Sequence, residues 1–404
     1  MKLALTIPRY DPESAGGAEV LAKALVEHLA AAGHEIEVLT TCARSHETWA
    51  NELEPGPCTV GGITVRRFAV NGGRDLEALA ELHDRIHAFE ELSFDEEKRW
   101  MSNGVSSEAL YGHLHEVRDD FDAFVFIPYV FGTTYWGAQV VSDRSVLVPC
   151  LHNEPYAHMK IFRELFDTVK GVMFNTEPER DLGIEMFDLP DAKVGVVGMG
   201  FEAAAEYEAE RFRRTYKIRD PFLLYSGWRE PGKNTPLLLD YFRAFKRHNK
   251  NRLRLVFLGS GPLELHSSDR RYVSDLGYVS EQDKHDACAA ATAFVQPSVN
   301  ESLSIVLMES WLAGRPVVVH AGCAVTSWHA RRSQGGLPFG TYFEFEEVLN
   351  LLLERPELAD RLGRNGRAYV EREYSWAACL ERFEATMGRF GLARQGPMGL
   401  AEGR

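Results

Sequence analysis

Two glutamates eight positions apart give the clearest chemical signal in this sequence. Glu301 and Glu309 end the segment ESLSIVLME, which follows the apolar run TAFVQ and the short loop PSVN. In a helix, eight residues rise about 12 Å, close to the span from a sugar across a diphosphate to a ribose. The stretch SIVLMESWLAG is apolar on nearly all sides, which indicates a buried helix whose carboxylates need partners.

This spacing predicts a role for each glutamate. Glu301 is expected beside a sugar at the positive end of the helix, where backbone N–H groups around Ser302, Leu303 and Ser304 can meet a phosphate. Glu309 is expected to accept hydrogen bonds from ribose hydroxyls. The alternative is two unrelated glutamates, one in a first helical turn and one on a solvated face.

A loop with two cations is the second signal. Arg229 and Lys233 lie in SGWREPGKN, which follows the apolar run FLLYS, and Gly227 opens the same loop. Two cations at a strand–loop–helix corner suit a diphosphate, with charge-assisted hydrogen bonds of ~1.5–3 kcal/mol each. They can also stabilise negative charge on a departing phosphate. The alternative is an exposed loop with incidental charges, and Gly227 is assigned to the ligand site with the two cations.

The elements that must position these residues begin at the N-terminus. Lys2–Ile7 is predicted as a strand, residues 18–32 as a helix and Glu35–Thr40 as the next strand. Gly16 and Gly17 stand at the opening of the helix, where glycines let a ligand approach backbone N–H groups. They are therefore candidate ligand-binding residues.

Strands and helices alternate through the first half of the chain and again after Asp220, which predicts an α/β protein with two Rossmann-like domains facing a central cleft. The first domain is predicted over residues 1–198 and the second over 199–376. Residues 377–392 are assigned to a helix that belongs with the first domain, and 393–404 to a flexible tail.

In this order, the cation loop and the glutamate pair resemble retaining glycosyltransferases of family 4, which have the GT-B fold. The family's E-x7-E motif matches Glu301 and Glu309, its Arg and Lys match Arg229 and Lys233, and its N-terminal glycine loop matches residues 16–17. Three further stretches are similar to the family's: VGMGFE at 197–202, LGSGP at 258–262 and EYSW at 373–376. The resemblance extends from Lys2 to about Met387, and in this fold the closing helix crosses back to the first domain.

The resemblance implies an enzyme that moves a sugar from a nucleotide-diphosphate sugar to a saccharide or glycolipid acceptor with retention of configuration. Cell-surface polysaccharide or glycoconjugate assembly is the implied setting. Glu301 would orient the sugar, while Arg229 and Lys233 would stabilise the leaving diphosphate. No metal and no cofactor besides the donor substrate are expected.

The chain departs from the family at three places. Trp228 stands where many members have the arginine, and residues 302–304 read Ser-Leu-Ser instead of Gly-Phe-Gly. Many members place a histidine after the fourth strand of the first domain, where this chain has Pro128 and Tyr129. His152, in LHNEPY after the following strand, is the substitute candidate for the cleft, and a structural histidine is the alternative.

Charge and composition limit the possible partners. The net charge is −14, and residues 1–200 hold 17 basic against 33 acidic residues. An acidic first half argues against nucleic acid as a partner. The six scattered cysteines form no CxxC pair, and no apolar run reaches eighteen residues, so a cytoplasmic protein is expected. Peripheral contact with the inner face of a membrane stays open, as do a non-catalytic sugar-nucleotide-binding protein and a GT-B epimerase or phosphorylase.

Overall fold

The computed structural model describes residues 1–11, 16–229 and 231–393. The chain divides into one unit formed by Met1–Met199 together with the chain from Cys379 on, and a second unit formed by Gly200–Ala378. Each unit is built on one sheet, with helices between most of its successive strands. The predicted α/β class with two Rossmann-like domains is confirmed. Of the predicted tail, residues 394–404 lie outside the described residues.

The first unit has an eight-stranded sheet in the order β3-β4-β2-β1-β5-β6-β7-β8, in which every neighbouring pair is parallel except β3 with β4. Its strands are β1 (Lys2–Thr6), β2 (Glu35–Thr41), β3 (Gly56–Val60), β4 (Ile63–Phe68), β5 (Ala123–Phe126), β6 (Ser145–Leu147), β7 (Gly171–Phe174) and β8 (Val194–Val196). Its helices are α1 (Gly17–Ala31), α2 (Leu76–His87), α3 (Phe94–Asn103), α4 (Glu108–Glu116), α5 (Gly132–Val140), α6 (Lys160–Thr168) and α7 (Glu177–Phe187).

The second unit has a six-stranded parallel sheet in the order β11-β10-β9-β12-β13-β14. Its strands are β9 (Phe222–Ser226), β10 (Arg254–Leu258), β11 (Val273–Asp275), β12 (Ala293–Gln296), β13 (Val317–His320) and β14 (Gly336–Phe339). Its helices are α8 (Ala209–Tyr216), α9 (Thr235–His248), α10 (Glu281–Ala290), α11 (Ile305–Leu312), α12 (Ala324–Ser333), α13 (Tyr342–Glu354) and α14 (Pro356–Glu373).

The central strands consist mainly of apolar residues because helices cover both faces of each sheet. All residues of β5, β9 and β12 are buried, although β9 ends in Ser226 and β12 in Gln296. A parallel sheet of this kind leaves function to the loops that follow its strands. The two polar strand ends are where the site described below begins.

The last helix, α15 (Trp376–Arg389), returns to the first unit. From Cys379 on it belongs to that unit, where Arg382 donates hydrogen bonds to the Val197 carbonyl at 2.9 and 3.0 Å. Arg389 donates to the Val194 carbonyl at 3.0 Å, and Phe383 is fully buried. These contacts attach the end of the chain to β8, as the predicted fold class requires. In the part of the chain that the structure describes, no helix is both long and apolar enough to cross a membrane.

The packing of α14 on the end of α11 leaves no room for a side chain at Gly363. A Cβ atom there would lie 2.0 Å from the backbone oxygen of Gly314. We expect Gly363→Ala to lower the free energy of unfolding by ~1–3 kcal/mol, because backbone atoms must move apart. Urea unfolding measures this. Gly112→Ala is the matched control, since its Cβ meets no described atom within 4 Å; equal midpoints for the two variants would contradict the prediction.

Candidate active site

Two loops at the same edge of the second sheet bring the two predicted signals together. β9 and β12 are adjacent and parallel, so the loops that follow them leave the sheet side by side. The Lys233 ammonium from the first loop lies 3.1 Å from Oε1 of Glu301 in the second. Asn234 also donates to the Pro297 carbonyl at 3.1 Å. The cation loop and the first glutamate therefore form one site.

The carboxylate of Glu301 is held from two sides. Its side chain is 10% exposed, and Oε1 accepts a hydrogen bond from Gln296 Nε2 at 3.1 Å in addition to the contact with Lys233. Gln296 also reaches Ser304 Oγ at 3.3 Å. Sequence reasoning missed Gln296, although a polar residue at the end of a buried strand was a signal for it. The glutamine fixes the orientation of Glu301 relative to the loop.

The segment between the two glutamates is not one helix, contrary to expectation. α11 begins at Ile305, and Ser304 precedes it in the left-handed conformation, with φ 70° and ψ 73°. A non-glycine residue in this region interrupts a helix and is strained. Glu301 therefore lies in a loop, and the distance between the two glutamates does not follow from helical rise. Ser304 stands at a position where the family that this sequence resembles has a glycine.

Glu309 lies on α11 and is paired with a lysine that the sequence analysis did not identify. Its Oε1 accepts from Lys284 Nζ at 2.8 Å, and the same ammonium binds Glu281 at 2.8 Å. Although burial lowers the pKa of Lys284, the carboxylates of Glu309 and Glu281 raise it well above its usual range. The other carboxylate oxygen, Oε2, is buried and has no hydrogen-bond partner among the described residues. Glu309 thus keeps one acceptor for an incoming hydroxyl group.

The same corner contains the one group of three or more potential metal ligands found among the described residues. Glu281, His285 and Glu309 each offer an atom, and these atoms lie within 4.8 Å of one another. The Lys284 ammonium binds both carboxylates, however, and so compensates one of their two negative charges. We assign this cluster to the anchoring of Glu309.

Arg229 is directed away from Lys233 and Glu301. Its side chain is 5% exposed, donates to the Gly261 carbonyl at 3.1 Å and lies 2.5 Å from Asp275. These partners follow β10 and end β11, on the side of β9 opposite to β12. The structure therefore brings Lys233 and Glu301 together and leaves Arg229 with another loop. Trp228, the residue before it, is 46% exposed.

Glycines allow these loops to approach closely. A Cβ atom on Gly259 would lie 2.3 Å from the Gly227 carbonyl oxygen, and one on Gly261 would lie 2.3 Å from that of Arg229. The backbone N–H of Arg229 donates to the Ser260 carbonyl at 2.8 Å. The LGSGP stretch thus serves loop packing in the second unit. Gly227 itself has φ 143°, which favours glycine.

In the first unit, His152 lies in the loop that follows β6. Its Nδ1 is 3.9 Å from Glu154 Oε2, and Glu154 Oε1 accepts from the Tyr129 hydroxyl at 2.7 Å. The buried Glu179 anchors this loop, since it accepts from the Leu151 N–H at 2.6 Å. Burial raises the pKa of Glu179 to about 7, against the lowering effect of its backbone N–H donors. Glu179 is a further residue that sequence reasoning missed.

The N-terminal glycines open α1. Gly16 is the N-cap residue, with extended backbone, and Gly17 is the first helical residue. A Cβ atom on Gly17 would meet no described atom within 4 Å. Residues 12–15, which precede these glycines, lie outside the described residues.

Comparison with known proteins places this geometry in context. Residues 206–369, which contain Lys233, Glu301 and Glu309, match the family described as glycosyl transferases group 1. The D-inositol 3-phosphate glycosyltransferase of Frankia alni is 27% identical, with 92% of this chain and 95% of that protein covered. D-rhamnosyltransferase WbpZ of Pseudomonas aeruginosa is 28% identical over 42% of this chain and 45% of its own length.

Solved structures resemble the whole chain. The sucrose-phosphate synthase of Thermosynechococcus elongatus has a TM-score of 0.71 at 16% identity, covering 97% of this chain and 100% of its own. Anabaena HepE in complex with UDP and glucose has a TM-score of 0.69 at 14% identity, covering 96% and 99%. Together, the family match and the relatives support a glycosyltransferase, and the structural neighbours show that the fold is GT-B.

Proposed function

We propose that this protein is a retaining glycosyltransferase that transfers a sugar from a nucleotide-diphosphate sugar to a saccharide or glycolipid acceptor. The observation that carries the proposal is the contact between Lys233 and Glu301, which joins a cation and an anion at two neighbouring strand ends. In such a pair, the lysine can bind a phosphate of the donor while the glutamate accepts a hydrogen bond from a sugar hydroxyl. The relatives support glycosyl transfer, since one is named a D-inositol 3-phosphate glycosyltransferase and another a D-rhamnosyltransferase.

Lys233 is assigned to the diphosphate. Its side chain is 28% exposed, and its ammonium is paired with Glu301 in the structure. When a donor binds, the phosphate oxygens replace Glu301 as partner, because they carry more charge in the same place. As the bond between the sugar and the phosphate lengthens, charge grows on the leaving diphosphate, and a fixed cation stabilises that charge more than it stabilises the ground state.

Glu301 is assigned to the sugar. Once Lys233 turns to the phosphate, the carboxylate stays attached to Gln296 and can accept hydrogen bonds from sugar hydroxyls. Ser302, Leu303 and Ser304 form the loop between Glu301 and the positive end of α11, and we assign this loop to the phosphate side of the donor.

Glu309 is assigned to the ribose. Its buried Oε2 needs a hydrogen-bond donor, and a ribose hydroxyl supplies one. Lys284 compensates the carboxylate through Oε1, so that Glu309 binds as an anion. Lys284 therefore acts as a positioning residue for Glu309.

The acceptor proton needs no separate base in this proposal. The acceptor oxygen attacks the sugar from the face that the diphosphate leaves, so configuration is retained, and a leaving-phosphate oxygen takes the acceptor proton. Charge compensation falls to Lys233, which makes the proposed reaction independent of a metal. In the first unit, His152 and Glu154 are proposed to contact the acceptor, with Glu179 holding their loop.

A second candidate function is a non-catalytic protein that binds sugar nucleotides. The placement of Arg229 favours it, because the arginine is engaged by Asp275 and an exposed tryptophan occupies the preceding position. Such a protein has the binding half of the site and lacks part of the charge that assists departure of the diphosphate. Donor turnover separates the two functions.

Thermal unfolding in the presence of nucleotides tests the proposal. UDP, GDP, ADP and TDP are compared with and without EDTA. We expect one of them to stabilise the protein by ~2.7 kcal/mol at a hundredfold excess over its dissociation constant. HepE, solved with UDP and glucose, makes UDP the first choice. The shift should persist in EDTA and be clearly smaller in Glu309→Ala at the same nucleotide concentration.

Release of the nucleotide from its sugar donor then distinguishes the candidates. Hydrolysis or transfer supports the enzyme, and a thermal shift without either supports the non-catalytic binder. If none of the diphosphates shifts the unfolding temperature, or if Glu309→Ala shifts as much as the native chain, the donor-site assignment is wrong.

A further inference from the structure

A pair of histidines on the surface of the first unit has the geometry of a chelating site. His83 and His87 are one helical turn apart in the last part of α2, so both side chains project from the same face. Their Nε2 atoms lie 3.1 Å from each other. Neither residue belongs to the elements that hold the proposed donor site.

Aromatic packing fixes the orientation of both imidazoles. The His83 ring stacks on Tyr156 with 5.9 Å between ring centroids. The Tyr156 ring in turn stacks on Trp100 with 6.0 Å between ring centroids. The edge of His87 packs against His83 at 4.4 Å and against Tyr156 at 5.4 Å. Because Trp100 is buried, the stack forms a fixed base under two histidines that are exposed as residues.

The separation of the two nitrogens fits a shared metal ion. With metal–nitrogen bonds of about 2.0–2.1 Å, two ligands on one ion lie roughly 2.9 Å apart at a right angle and about 3.4 Å apart at the tetrahedral angle. The observed separation falls between these limits. In the metal-free protein, one Nε2–H donates to the other Nε2. A tautomer change that moves this proton to Nδ1 frees both lone pairs without any net loss of a proton.

We propose that His83 and His87 bind a divalent transition-metal ion such as Zn²⁺, Ni²⁺ or Cu²⁺, with water as the remaining ligands. Imidazole nitrogen suits these ions and does not suit Mg²⁺ or Ca²⁺. Metal binding also requires neutral imidazoles.

Isothermal titration of the full chain with NiCl₂ and ZnCl₂, after removal of metal with EDTA, tests this site. We expect one ion per chain for the native protein and a loss of affinity of about tenfold or more in His87→Phe and His83→Phe. Phenylalanine retains the ring packing on Tyr156 and removes the ligand atom, so the variants should keep the circular dichroism spectrum and unfolding temperature of the native chain. MgCl₂ should give no binding.

Two further variants locate the ion. His115→Ala removes another histidine of the same unit and should leave binding unchanged. His285→Ala interrupts the Glu281–His285–Glu309 cluster in the second unit and should also leave it unchanged. Binding that survives in His83→Phe and His87→Phe, or that is lost in His285→Ala, would overturn the proposal. The titration is independent of nucleotide, so its outcome does not depend on the proposed glycosyl transfer.

Discussion

Replacing Lys233 with alanine is expected to reduce the rate of sugar transfer by about 10²–10³-fold, the usual effect of removing one group that stabilises charge in a transition state. Folding should be little affected, because the lysine is partly exposed, although its removal leaves the Glu301 carboxylate without this cation. Turnover at saturating donor concentration measures the effect. Lys233→Arg keeps the charge and should recover part of the rate.

Arg229→Ala is the informative comparison for Lys233. The arginine is buried and tied to Asp275 and the Gly261 carbonyl, so its removal should lower the unfolding temperature. We expect a smaller loss of transfer rate than in Lys233→Ala once the folded fraction is taken into account. If Lys233→Ala transfers at the native rate, or if Arg229→Ala is folded and more impaired, the assignment of the phosphate cation is wrong.

The second large effect is expected at Glu309. Glu309→Ala removes a charged acceptor from the ribose, and hydrogen bonds to charged groups contribute ~1.5–3 kcal/mol, which corresponds to a rise in the donor KM of about 10- to 150-fold. The rate at saturating donor should change less, because the ribose is remote from the bond that breaks. Initial-rate kinetics with varied donor concentration separates the two effects.

Lys284 provides the control for Glu309. Lys284→Met leaves a largely buried carboxylate with its cation removed, and we expect weaker donor binding in this variant together with partial rescue in Lys284→Arg. Glu281→Gln removes the outer partner of the lysine only and should have a smaller effect. A donor KM that is unchanged in both Glu309→Ala and Lys284→Met would contradict the ribose assignment.

The local pattern of apolar residues was enough to predict the strands and helices, and the charged loops between them gave the residue types of the candidate site. Apolar runs such as FLLYS and TAFVQ became β9 and β12, and the cation and glutamate loops follow those two strands. Continuous apolar runs indicate strands that are buried on both faces, and the loops that follow parallel strands open at one edge of a sheet. The meeting of Lys233 with Glu301 depends in addition on the adjacency of β9 and β12, which the structure shows and the sequence did not predict.

The sequence by itself determined an α/β chain with two Rossmann-like domains, the GT-B resemblance, and the candidate residues Lys233, Glu301 and Glu309. Only the tertiary structure decided which charges pair. Asp275 holds Arg229 from 46 positions away, and Lys284 reaches Glu309 from 25 positions away. Local sequence periodicity does not report such partners, because they depend on which loops the sheet order places side by side. The burial of Oε2 of Glu309 without a hydrogen-bond partner among the described residues is likewise a tertiary property that local periodicity does not report.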